Sequence, residues 1–60
     1  MTTTFTTHHR NSKYTVTMHQ DGSQWVCQID QNDRYLSSRV FRFEAQARQW
    51  AYNTIGGYAE

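Results

Sequence analysis

Few residues in this sequence could carry chemistry: three histidines, one cysteine, and five acids set against six lysines and arginines. Nucleophilic catalysis needs a nucleophile beside a base, with a third group to orient the base. Cys27 could meet His19 across a hairpin, but period-two alternation assigns the two side chains to opposite faces of a sheet. Cys27 then reads as a small buried core residue. Asp21, Asp30 and Asp33 fall in or beside turns, where aspartate bonds its own main chain, so turn chemistry accounts for them. His8 and His9 are adjacent, and neighbours on an extended chain point to opposite sides, which keeps both from one metal ion. A lone cysteine offers neither an intrachain disulfide nor a multi-cysteine zinc site, and there is no glycine-rich phosphate loop. The expectation is a protein that is not an enzyme, with no cofactor, no metal site and no small-molecule substrate.

The elements that would position these residues follow from periodicity. From Lys13 onward Tyr14, Val16 and Met18 alternate with Thr15, Thr17 and His19, the pattern of a half-buried strand. Asp21-Gly22 then signals a hairpin turn. A second strand is predicted over 24–30, with Trp25, Cys27 and Ile29 inward, and Gln31-Asn32-Asp33 supplies the next turn. The third strand, predicted over 34–43, changes phase. Tyr35 groups with Phe41 and Phe43 and Leu36 groups with Val40, so a β-bulge is placed at Ser37-Ser38.

After Phe43 the period becomes helical. Ala47, Trp50, Ala51, Thr54, Ile55 and Tyr58 share one face, with Trp50 expected near the centre of the core. Glu44 suits the positive end of the helix dipole, and Gly56-Gly57 reads as a C-terminal stop. The fold class expected is α+β: a three-stranded antiparallel sheet packed on one C-terminal helix (β-β-β-α), with a possible extra N-terminal edge strand. Residues 1–12, rich in threonine, are read as a tail or edge strand, and residues 13–60 as a single domain.

Composition sets bounds on function. At sixty residues the chain buries only about 60% of the surface its unfolded form exposes, so the core must come from a few large side chains, and three Phe, two Trp and four Tyr offer enough aromatic surface for a compact fold. A formal charge of +1 does not advertise a polyanionic partner. No apolar run approaches the roughly 20 residues of a membrane span, and no apolar signal-peptide core is present, so a cytoplasmic location and no membrane partner are expected.

What remains is binding. Tyrosine and arginine are enriched in interface hot spots, so Tyr35, Arg39, Arg42, Arg48 and Tyr52 are the expected contacts for a protein partner. If the open sheet face instead reads DNA, the contacts expected are Thr15, Thr17, Gln28, Arg34 and Arg39. A third possibility is self-association through an edge strand.

Two resemblances bear on these alternatives. The stretch from Lys13 to Tyr52, with DGSQWVCQID followed by FRFEAQARQWA, is similar to the AP2-like arm-binding domains of phage-type integrases. That resemblance implies a three-stranded sheet docked in DNA. Phe43 stands where that family has Thr or Ser capping its helix. In size class the chain resembles the small anti-defence proteins of bacteriophages, anti-CRISPR proteins among them. This second resemblance implies a stoichiometric inhibitor that blocks a host protein complex by direct contact.

Overall fold

A computed structural model describes the backbone of residues 2–59 and the side chains of residues 2–56. Four strands run in chain order across one antiparallel sheet: β1 (Thr2–His9), β2 (Ser12–Asp21), β3 (Gln24–Gln31) and β4 (Arg34–Phe41). A single helix, α1 (Glu44–Ala59), follows and packs on one face, touching every strand. The architecture is β-β-β-β-α: the three expected strands are β2, β3 and β4, and the possible extra N-terminal edge strand is present as β1.

Each hairpin closes through two residues. Arg10-Asn11 and Asn32-Asp33 hold positive φ at both positions, the requirement of a type I′ turn, whose twist matches that of the strands. Asparagine accepts this backbone readily. The middle turn is Gly22-Ser23, one residue beyond the expected Asp21-Gly22, with Gly22 alone at positive φ (64°) as a II′ turn demands. The Asn32 turn is also anchored sideways onto β2. Its N–H donates to the Lys13 carbonyl at 2.8 Å, its side-chain oxygen accepts from the Lys13 N–H at 3.0 Å, and Lys13 Nζ reaches Asp33 at 3.0 Å.

Alternation sorts the strands into two faces. Tyr14, Val16 and Met18 of β2 and Cys27 and Ile29 of β3 are buried under α1, and Phe5, Trp25, Leu36 and Phe41 flank them. The helix closes this core with Ala47, Ala51 and Ile55, one residue per turn along a narrow stripe. Two alanines let its backbone sit close to the sheet, near enough for the Cys27 thiol to point at the Ala47 carbonyl at 3.8 Å.

Trp50 is not at the centre of this core. It is half-buried at the β4 margin, tilted against Phe41 with ring centroids 5.6 Å apart. Tyr52 faces the opposite margin and stacks on Phe5 of β1 at 5.7 Å. An indole beneath the helix would hold it away from the sheet, whereas alanine at the contact sends the large rings outward to the flanks. The side chain of Tyr58, expected on the same helical face, lies outside the described residues.

Two further sequence expectations are corrected. The bulge falls at Leu36, not at Ser37-Ser38: Ile29 pairs with Ser37 and Asp30 with Tyr35, leaving Leu36 as the extra residue. Tyr35 therefore shares the outer face with Val40, and Leu36 shares the core face with Phe41, the reverse of the expected grouping. An aromatic and an aliphatic residue compete here for the same inward slot, and the bulge selects the smaller. Gly56-Gly57 does not stop the helix, which continues to Ala59. Gly56 keeps the helical hand, because glycine tolerates a left-handed cap without requiring one.

Phe43 occupies the N-cap position. Its carbonyl accepts the first helical bonds, from Gln46 N–H at 3.1 Å and Ala47 N–H at 3.3 Å, and its side chain has no oxygen to offer in return. Being 60% exposed, the ring contributes little burial. Phe43→Ser is expected to raise unfolding free energy by about 1 kcal/mol, read as a higher urea midpoint at unchanged slope. A lower midpoint would show that the ring packs in a way its exposure does not suggest.

Candidate binding face

The side of the sheet away from α1 carries no covering element among the described residues, and pairing arranges it in rows. One end holds Thr2, His19, Val26 and Val40; the centre holds Thr4, Thr17, Gln28 and Ser38; the other end holds Thr6, Thr15, Asp30 and Tyr35. Five threonines on two adjacent strands make a ladder of short hydroxyl-bearing, β-branched side chains, a composition that suits a flat pleated surface. The face is nearly free of net charge. Gln28 Nε2 donates to Asp30 Oδ1 at 3.0 Å, and Lys13, on this side by alternation, is paired with Asp33. Along β4 the Tyr35 hydroxyl and the Ser38 hydroxyl are 2.9 Å apart, which orients the exposed Tyr35 ring.

The nine residue positions expected to bind, Arg39 being common to both sets, do not form two surfaces. Of the protein-contact set, Tyr35 is the one that strand pairing sets on the open face. Arg39 pairs with Cys27 and so sits on the helix side, where its guanidinium lies 5.6 Å from the Phe41 ring centroid. It lines a shallow groove there with Gln46, Gln49 and Trp50. Arg42 follows β4 and borders a hollow with Gln24 and Val40. Arg48 lies on the outer side of α1, bonded to Glu44 at 2.8 Å, and this hydrogen bond with the carboxylate holds its guanidinium above the ordinary pKa. Tyr52 shares that side of the helix and leans toward β1.

Of the nucleic-acid set, Thr15, Thr17 and Gln28 share the open face. Arg34 and Arg39 do not: Arg34 pairs with Gln31, whose side chain reaches the core residue Tyr14, and Arg39 points to the helix. The bulge at Leu36 and the parity of β4 decide this. Phe41 faces inward, so Arg39 two residues earlier must face inward as well. Missed by the sequence reading were Thr2, Thr4 and Thr6, which join the face only because β1 is a strand. The signal that could have found them is Asn11, which favours the left-handed backbone of a tight turn between two threonine-rich segments.

Cys27 is fully buried and its thiol is pushed up from its ordinary pKa by loss of solvent, while His19 is exposed on the opposite face. A thiol so placed is protonated at neutral pH and hidden from substrates. Among the described residues, no three of the histidine, cysteine and acidic side chains are grouped as a metal ion would require. No helix among the described residues is long and apolar enough to cross a membrane. No protein-family model, curated protein or solved structure matches this chain.

Proposed function

We propose that this chain is a non-enzymatic protein-binding module that lays its open sheet face on a larger host protein complex and inhibits it stoichiometrically by occupying a docking surface. The observation that carries the reading is the composition of that face: four strands with no helix above them among the described residues, uncharged side chains at the centre, and exposed Tyr35 and Val40 along one margin. Protein interfaces are depleted of charge at their centre and enriched in aromatic residues, and a face built this way loses little solvation on docking. Tyr35 is the anchor on this reading, with Thr15, Thr17 and Gln28 supplying adaptable hydrogen bonds.

The same arrangement argues against DNA as the partner. Phosphate contacts dominate nucleic-acid affinity, and the two arginines expected to make them are on the other side of the sheet. Titrating the protein into mixed-sequence duplex DNA at low salt, followed by fluorescence anisotropy, is expected to show no binding. Affinity falling by roughly 0.9 log units per log of salt for each phosphate contacted would replace this proposal with the DNA reading.

A further inference from the structure

The two edges of the sheet are built differently. β4 carries a bulge at Leu36 and the arginines Arg34 and Arg39, devices that keep a strand edge from pairing with another chain. β1 carries none of them. From Thr2 to Thr7 it has no charge, no proline, no glycine and no bulge, and its register with β2 is unbroken over eight pairs. It is a flat edge of high strand propensity.

The hydrogen bonding that β1 leaves open follows from its turn. In a two-residue hairpin the residues flanking the loop, here His9 and Ser12, form a hydrogen-bonded pair, and such pairs recur at every second residue. Thr3, Phe5, Thr7 and His9 therefore turn their main-chain groups toward β2. Thr2, Thr4, Thr6 and His8 turn theirs outward.

We propose that β1 is the interface of a homodimer in which two copies pair their β1 strands antiparallel into one eight-stranded sheet. The occupant is a second copy because the edge is complementary to itself. A twofold axis perpendicular to the sheet at Phe5 uses the whole strand. It sets Thr4 opposite the partner copy's Thr6 and Thr2 opposite its His8, forming up to about eight main-chain hydrogen bonds. It also brings Phe5 against its own copy as a closely spaced non-hydrogen-bonded pair on the helix side. Phe5 is half-buried against the exposed Tyr52, so the four rings would close over one another and extend the small core across the axis. Association of this kind is a common supplement to the limited core of a small domain. The pairing leaves the open faces side by side as a single surface, and it holds whatever that surface binds.

Sedimentation equilibrium of the purified chain from low to high micromolar concentration tests this. The wild type is expected at twice the 7.1 kDa chain mass as concentration rises. Thr4→Lys/Thr6→Lys places like charges directly opposite across the axis and is expected to weaken the dimer at least about 100-fold, as is Thr4→Glu/Thr6→Glu. Both positions are exposed, so circular dichroism should show the strand content of the wild type. Mixing the two variants should restore a dimer, a result that a folding defect could not produce. A wild type that is monomeric at every concentration would overturn the proposal, and so would lysine and glutamate variants that each dimerise as strongly as the wild type.

Discussion

Ile29→Ala should remove a large share of the protein's stability, the largest loss expected of any single change in the sheet. A domain of this length has an unfolding free energy of about 3–9 kcal/mol, and removing three buried carbons from an isoleucine costs about 2–5 kcal/mol. Ile29 is fully buried in the C-terminal half of β3, between Val16 and Ser37, one position before the register shift at Leu36. Its surroundings cannot readily collapse into the gap, because the sheet beneath is hydrogen-bonded and the helix above already rests on alanines. The matching change on the other face, Val26→Ala, removes a half-exposed side chain and is expected to cost less than about 1 kcal/mol. Urea unfolding of the two variants followed by circular dichroism provides the comparison. Similar losses at both sites would mean that the helix does not define which face is the core.

The second large effect concerns binding. Thr17 and Gln28 are directly opposed at the centre of the open face. Thr17→Glu/Gln28→Lys gives the pair opposite charges, which attract across strands, so stability is expected to stay within about 0.5 kcal/mol of the wild type. Docking would then bury two charges with no partner across the interface, a cost of several kcal/mol, so affinity for the partner should fall by at least about 100-fold. Stability and binding would thereby separate in one variant, which distinguishes a contact surface from a merely solvated one.

Much of this arrangement is legible in the sequence, for identifiable reasons. β2 and β3 alternate large apolar residues with polar ones, so Tyr14, Val16, Met18, Cys27 and Ile29 declare their face at once, and with them Thr15, Thr17 and Gln28 on the other. The helical stripe of Ala47, Ala51 and Ile55 is equally plain. β1 is obscure because its two faces are both mainly threonine; pairing with β2, not burial of its own side chains, makes it a strand. β4 is obscure because Tyr35 and Leu36 are both credible inward residues, and only the bulge decides between them. That ambiguity puts Arg34 on the wrong side in the DNA alternative, while Arg39 goes inward with Phe41 by the parity of β4. It also made the protein-contact residues look like one surface, when Tyr35, Arg39, Arg42 and the Arg48–Tyr52 pair lie on separate parts of the molecule.

The measurement that bears most directly on the open face is a quantitative capture from host lysate with three immobilised proteins: the wild type, Thr17→Glu/Gln28→Lys, and Gln46→Ala/Arg48→Ala on the exposed side of the helix. The expected result is a protein partner retained by the wild type and by the helix variant and lost from the sheet variant. A partner retained by the sheet variant and lost from the helix variant would move the binding surface to α1 and contradict the proposed function of the open face.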